Sequence, residues 1–148
     1  MNNNRIARIL QELEKTGISQ MLIVDPMSIF YLTDVRNYPG ERFYALLLRK
    51  DKTPVYFLNN LFTIPQDVGA EKVWYSDTDP VMEIVAPYID HNTPLGVDKD
   101  LKARFLLPLM ELNAAPIMIP TAISITLPRM AKVLNSLNIA SPSQVLNA

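Results

Sequence analysis

The sequence is poor in three residue types on which many functional sites depend. It has no cysteine, four glycines and one histidine among its 148 residues. Without cysteine the chain cannot form a disulfide framework, a zinc thiolate site or a cysteine nucleophile, and this composition fits a reducing compartment. Neither glycine-rich phosphate pattern, G-x-G-x-x-G or G-x-x-x-x-G-K, occurs. The sequence therefore predicts neither of the two standard nucleotide-binding loops.

Long apolar runs and an excess of one charge are also lacking. Fifteen acidic residues stand against 14 basic ones, so the basic surface that nucleic acid or an anionic membrane requires is not expected. The N-terminal segment MNNNRIARIL becomes charged too early for a secretory signal. No apolar run approaches the roughly 20 residues that span a bilayer. We therefore expect a cytoplasmic protein without nucleic-acid or membrane partners.

Proline, in contrast, is abundant, with 12 residues in a chain long enough to bury a core. Because proline ends regular structure, this number predicts many short elements. Hydrophobic spacing places helices at 5–15, at 27–33, after 79–80 and at 101–112, and strands at 21–24, 43–49, 55–58, 72–75, 95–97 and 116–119. The short connection at 50–54 makes the second and third strands an antiparallel hairpin. The expected fold is a three-layer α/β domain, with a mixed sheet of five or six strands and helices on both faces.

Local signals also predict how several elements end and which aromatic side chains are buried. The expected N-caps are Asn3 or Asn4 for the first helix, Asp79 (ahead of Pro80) for the third, and Asp98 or Asp100 for the last. Trp74 and Tyr75, in the strand at 72–75, are interpreted as core residues in preference to interface residues.

The chain divides by composition near residue 120. Residues 1–120 are predicted to form the α/β domain. Residues 121–148 are polar and rich in small residues, and are interpreted as a tail or linker. Within them, Met130, Val133, Leu134 and Leu137 keep a helical spacing that predicts one short helix at 129–138.

The bend that joins the second helix to the hairpin is the first candidate for a functional site. Its candidate residues for a substrate entrance or an interface are Asp34, Arg36, Tyr38, Glu41 and Arg42. As a solvated turn, the bend would hold surface ion pairs that contribute little. As a polar rim facing a partner or substrate, it would use arginine, whose planar fork binds both oxygens of a carboxylate. Both interpretations stay open at this point.

Catalytic and metal-ligating residues are not predicted. His91 lies between a helix and a strand, and a solvated loop histidine is preferred to a catalytic base, which needs an orienting partner. Asp77 and Asp79 could contact a hard cation, but one histidine and scattered acids do not make the convergent cluster that a hydrolytic metal site needs. The nucleophile pattern G-x-S-x-G is absent as well.

Three segments resemble a known family. They are LIVDPMSIFYLTDV, which contains the step Tyr31-Leu32-Thr33, the hairpin ERFYALLLRKDKTPVYFL, and the later segment GVDKDLKARFLLPLMEL. In this order they resemble the N-terminal domain of the creatinase, prolidase and aminopeptidase P family, over about residues 5–120. Residues 121–148 depart from the pattern, because no acidic run follows the basic residues at 129–132.

The resemblance implies a role beside a catalytic domain. In such Xaa-Pro peptidases a separate C-terminal domain of pita-bread fold holds a divalent metal pair, such as manganese, with two aspartates, a histidine and two glutamates. The resemblance therefore implies no cofactor and no peptidase activity for this chain alone. It implies instead a non-catalytic domain of a metal-dependent Xaa-Pro dipeptidase or aminopeptidase, which contributes to a homodimer and to the wall of the active-site entrance. Arg36 and Arg42 would steer a peptide carboxylate, while Asp34 or Glu41 would fix the arginines or contact an amino terminus.

Other functions remain open from the sequence. The chain could be a stand-alone module that binds a ligand or a protein without a peptidase domain. Creatine or another non-peptide substrate stays open too, because the same domain accompanies different chemistries. An enzyme in its own right is disfavoured by the lack of a nucleophile with its base.

Overall fold

A computed structural model describes residues 1–119, and the predicted tail with its helix at 129–138 lies outside the described residues. The helices are α1 (Asn3–Glu14), α2 (Pro26–Thr33), α3 (Val81–Val85), which continues into a 3-10 turn (Ala86–Tyr88), and α4 (Ala103–Glu111). The strands are β1 (Gln20–Ile23), β2 (Ala45–Arg49), β3 (Val55–Asn59), β4 (Glu71–Tyr75), β5 (Leu95–Val97) and β6 (Ile117–Met118). Each element lies within a few residues of its predicted position.

The six strands form one mixed sheet in the order β4-β3-β2-β1-β5-β6. Strand β2 is antiparallel to both β1 and β3, while the pairs β1–β5, β3–β4 and β5–β6 are parallel. The sheet therefore contains the predicted hairpin, formed by β2 and β3. The predicted fold class, an α/β domain with a mixed sheet, is confirmed.

The core has two halves, one on each face of the sheet. Helices α1 and α2 pack on the face that carries Met21, Leu46 and Leu48, and α3 and α4 pack on the face that carries Leu47 and Phe57. Because both faces are covered, strands β1, β2 and β3 are apolar at successive positions instead of alternating. This explains why each of them was recognisable in the sequence as a short, continuous apolar run.

The predicted helix caps are wrong in each case. Asn2, not Asn3 or Asn4, caps α1, and its side-chain oxygen accepts a hydrogen bond from the Arg5 N–H at 3.1 Å. The Asp79 carboxylate does not cap α3, because it turns back to accept the Ser76 N–H at 2.6 Å. Helix α4 starts after Lys102 and has no side-chain cap, so neither Asp98 nor Asp100 fills that role.

Asp98 instead joins the ends of two strands. It is buried, with 3% of its surface exposed. Its carboxylate accepts hydrogen bonds from the backbone N–H groups of Val24 at 2.7 Å, Asp25 at 2.8 Å and Asp100 at 2.8 Å. Burial raises the pKa of this carboxyl above its ordinary value, while the three donors oppose the rise. Asp98 thus fixes the segment that follows β1 against the segment that follows β5.

The two aromatic residues assigned to the core differ in environment. Tyr75 is buried, as expected, and burial raises its pKa to about 12. Trp74 is 43% exposed, so its assignment to the core is wrong. The physical reason is its position on β4, an edge strand of the sheet, where the face that carries Trp74 receives little cover from the helices.

No helix within residues 1–119 is both long and apolar enough to cross a membrane.

Candidate functional site

The bend of residues 34–42 leaves α2 through a defined turn. Asp34 takes the left-handed conformation at φ 59°, and its N–H donates to the Phe30 carbonyl at 2.8 Å. The Thr33 hydroxyl donates to the Ile29 carbonyl at 2.7 Å and accepts the Val35 N–H at 3.1 Å. The Tyr-Leu-Thr step therefore ends the helix and sets the direction in which the bend begins.

Arg42 is held at the far end of the bend by a residue from the β4 side of the sheet. Its Nε and Nη2 donate to the two carboxylate oxygens of Asp77, at 2.9 and 2.7 Å. The Asn59 amide also donates to Asp77, at 2.7 Å. The Arg42 guanidinium is the main cause that lowers the pKa of Asp77, and Asp77 in turn raises the pKa of Arg42. The guanidinium thus has a fixed orientation that leaves its Nη1 directed away from this carboxylate.

Glu41 points to the opposite side, toward the start of α4. Its carboxylate oxygens lie 3.2 Å from Lys102 Nζ and 3.2 Å from Arg104 Nη1. Lys102 also donates to the Gly40 carbonyl at 3.0 Å. Lys102 is the main cause that lowers the pKa of Glu41. Because these groups are well exposed, the pairs contribute little to the stability of the fold.

The other three predicted site residues are exposed. The Arg36 guanidinium lies over the Phe30 ring, 4.7 Å from its centroid. Tyr38 is 83% exposed, the largest exposed fraction among the large hydrophobic side chains of residues 1–119. Asp34 is exposed at the C-terminus of α2. The structure therefore brings the five predicted residues into one bend without bringing their charged groups together.

The expected pairing inside the bend does not occur for Glu41 and Arg42. Of their partners, Lys102 was not predicted as a site residue, and Asp77 was considered only as a contact for a hard cation. These partners are far away in the sequence, and only the order of the strands brings them to the bend. The acidic run at 77–79 and the basic residues at 102–104 were visible as charged segments next to predicted strands, but nothing local connects them to residues 41 and 42.

A cleft of about 310 Å³ opens under the bend. It lies where β1 and β5, which are parallel neighbours, end and the chain leaves them toward opposite faces of the sheet. In open α/β sheets this position commonly holds a ligand. Its charged lining comes from Asp25, Asp100, Arg42 and Lys102, and its apolar lining includes Phe43 and Phe105. This cleft was not predicted from the sequence, because the pairing of β1 with β5 has no local signal.

Buried aromatic side chains pack beneath the bend. Phe43 lies 5.1 Å from Phe105, centroid to centroid, and the Tyr75 hydroxyl donates to its carbonyl. Next to it, the hydroxyls of Tyr44 and Tyr56 bind each other in the core, and burial raises the pKa of both. The backbone on the strand side of the bend is therefore anchored in the core directly after Arg42.

Metal-ligating side chains do not converge in the described part of the chain: residues 1–119 contain no group of three or more histidine, cysteine or acidic residues that could hold an ion. His91 lies in an exposed turn, as the sequence predicts for a loop histidine.

Comparisons with known proteins identify a family. The family model of the creatinase/prolidase N-terminal domain matches residues 5–126. An uncharacterised peptidase of Staphylococcus aureus is 36% identical over 53 residues, which cover 36% of this chain and 15% of that protein. The chain therefore matches only a small part of that curated relative.

Two solved structures share the fold. One is the creatinase/prolidase N-terminal domain of an X-Pro dipeptidase from Streptococcus pyogenes, with a TM-score of 0.72 and 21% identity, covering 83% of this chain and 98% of that one. The other is the dipeptidase PepE from Mycobacterium ulcerans, with a TM-score of 0.69 and 22% identity, covering 97% of this chain and 38% of that one. At this identity the likeness concerns the fold.

Proposed function

Because the chain belongs to the creatinase/prolidase N-terminal domain family, we propose that it acts as the non-catalytic domain of a metal-dependent Xaa-Pro dipeptidase or aminopeptidase. In this role it contributes contacts to a homodimer and forms part of the wall of the active-site entrance. The divalent metal pair would belong to the catalytic domain and not to this one. The observation that carries the proposal is the family match over residues 5–126, supported by the likeness to an X-Pro dipeptidase domain along 98% of that domain.

The geometry of the bend supports the entrance role. Arg36 and Tyr38 are exposed, and their backbone is anchored at one end by α2 and at the other by β2. Arg42 keeps a fixed orientation through Asp77. An arginine whose orientation is fixed loses less side-chain entropy when it binds a carboxylate. We propose that Arg36 and the Nη1 side of Arg42, which points away from Asp77, attract the carboxylate of a peptide substrate.

Replacing Arg36 with alanine tests the entrance role in a peptidase assembly that includes this domain. We expect KM for Xaa-Pro dipeptides to rise severalfold with kcat nearly unchanged, because Arg36 would attract the substrate without touching the reacting atoms. Steady-state kinetics over a range of ionic strengths measure this, since screening weakens an exposed charge.

Arg8→Ala is the matched control, because Arg8 is an exposed arginine on α1. It should leave both kinetic constants unchanged. If Arg36→Ala leaves KM and kcat at the values of the unmodified enzyme, the proposed entrance role of Arg36 is contradicted.

A second candidate function is a ligand-binding module that acts without a peptidase domain. The cleft of about 310 Å³ favours it, because the size lies in the range of small-molecule sites and the lining combines charged and aromatic side chains. Calorimetric titration of the purified chain with Xaa-Pro dipeptides distinguishes the two functions. Saturable binding without hydrolysis would favour the module, whereas no binding agrees with a domain that contacts substrate only beside a catalytic site.

A further inference from the structure

Within residues 1–119, strand β4 forms one edge of the sheet and has a single neighbour, β3. The Glu71 N–H donates to the Pro54 carbonyl, and the Tyr75 carbonyl accepts the Asn60 N–H, both at 2.9 Å. The backbone N–H and C=O groups of Glu71 and Tyr75 therefore point toward β3. Because backbone direction alternates along a strand, Lys72 and Trp74 direct their N–H and C=O groups to the side on which residues 1–119 provide no strand.

Few outward backbone groups of β4 are available to pair with another strand. The next outward N–H after Trp74 is that of Ser76, and the Asp79 carboxylate already accepts it at 2.6 Å. Two donors and two acceptors, on Lys72 and Trp74, therefore remain for another strand. Between them, Val73 continues the apolar face that packs against α3 and α4.

Trp74 is the unusual side chain of this edge. It is the only tryptophan of the chain and is 43% exposed on a strand. Tryptophan is enriched among the residues that dominate binding energy at interfaces. An exposed tryptophan beside backbone groups that have no strand partner within residues 1–119 makes this edge a candidate contact surface.

We propose that β4 pairs with β4 of a second copy of this chain, antiparallel, about a two-fold axis at Val73. The inference rests on the dimer contribution included in the proposed function and assigns that contribution to one edge. Lys72 of each copy lies opposite Trp74 of the other and exchanges two backbone hydrogen bonds with it. The N–H and C=O groups of Lys72 and Trp74 in each strand are then all paired. The two sheets become one continuous sheet.

The neighbouring registers are less favourable. A two-fold axis perpendicular to the sheet places side chains of the same face opposite each other. Such an axis passes through a residue position, and the positions next to Val73 are Lys72 and Trp74. An axis at Lys72 sets two ammonium groups directly opposite, which is destabilising. An axis at Trp74 pairs Lys72 with Ser76, whose N–H is already bound, and sets Glu71 against Asp77 of the other copy. The Val73 register avoids each of these conflicts.

The side chains at the Val73 register are compatible with burial. Lys72 donates through Nζ to the Pro65 carbonyl at 3.2 Å and the Gln66 carbonyl at 2.5 Å. Its aliphatic stem is thereby held on the same face as Trp74, where the indole of the second copy can cover it. The positive charge then meets the negative face of an aromatic ring, and the Lys72 ammonium of the second copy lies on the diagonal instead of directly opposite. On the opposite face the two Val73 side chains meet.

Disulfide trapping with Val73→Cys tests the register. The 148-residue sequence has no cysteine, so every disulfide of its single-cysteine variant joins two chains. At the proposed axis the two Cys side chains would be directly opposite in a non-hydrogen-bonded pair, within bridging distance. Mild oxidation followed by a non-reducing gel should trap most of the variant as a dimer.

Lys72→Cys is the matched control. Two copies of position 72 would be diagonal neighbours, about 7–8 Å apart, which is too far for an unstrained bridge. It should give at least about tenfold less trapped dimer than Val73→Cys. Equal trapping of the two variants would overturn the register, because it indicates random collision.

A measurement on the unmodified chain separates this inference from the proposed function. The emission of Trp74 should shift to shorter wavelength as the chain dimerises, because the indole becomes covered. If light scattering finds a dimer while Trp74 emission stays constant and Val73→Cys is not trapped, the β4 edge is the wrong surface and the dimer contribution stands. A chain that is monomeric at all concentrations overturns both the edge and the dimer contribution.

Discussion

Replacing Asp98 with alanine is expected to lower the free energy of unfolding by about 3 kcal/mol. The buried carboxylate accepts three backbone N–H groups. Alanine leaves those donors without their acceptor, and each buried donor without a partner costs about 1–3 kcal/mol, less where water enters from the cleft. Chemical denaturation monitored by circular dichroism measures the loss.

Two further variants show whether the three hydrogen bonds cause this loss. Asp98→Asn keeps one accepting oxygen and should lose less stability than Asp98→Ala. Asp100→Ala removes an exposed carboxylate two residues away and should change stability by no more than about 0.5 kcal/mol. An Asp98→Ala protein as stable as Asp100→Ala would show that Asp98 does not join the ends of β1 and β5 as described.

Replacing Phe57 with alanine should produce the other large effect, a loss of about 4 kcal/mol in the free energy of unfolding. Phe57 is fully buried on β3 and lies 6.1 Å from Phe43 and 5.5 Å from Tyr88, between ring centroids. Its removal leaves a cavity beneath Phe43, the residue that anchors the bend directly after Arg42. The midpoint of a denaturant titration, with an unchanged slope, measures the loss.

The controls for Phe57 vary the volume and the position of the substitution. Phe57→Leu fills most of the cavity and should lose about 1.5 kcal/mol. Leu61→Ala, at a residue that is 69% exposed, should be nearly neutral. A loss for Phe57→Ala no greater than for Leu61→Ala would contradict the position of Phe57 in the core.

The sequence predicted the elements well because their signals are local. Apolar runs of strand length, the five-residue connection of the hairpin and the helical spacing in α1 depend on neighbouring residues alone. The sheet covered on both faces followed from the strand at 21–24, which is apolar at successive positions instead of alternating. These features identified the fold class before the order of the strands in the sheet was known.

Other features depend on which strands become neighbours, and no local pattern contains that information. Asp98 accepts a hydrogen bond from the N–H of Val24, which lies 74 positions earlier in the sequence. An N-cap role for Asp98 was therefore the simpler interpretation. The exposure of Trp74 follows from the edge position of β4, which is a property of strand order. The paired hydrogen bonds between Arg42 and Asp77 join residues that are 35 positions apart. For this reason the bend was predicted from the sequence but its partners were not.

The mass of the purified chain in solution, measured by light scattering coupled to size exclusion across a dilution series, tests the central claim most directly. The proposed function assigns dimer contacts to this domain itself. It therefore predicts the mass of two chains, persisting as the protein is diluted, with dissociation only at low concentration. The mass of one chain at every concentration would contradict the claim that the domain carries its own dimer contacts.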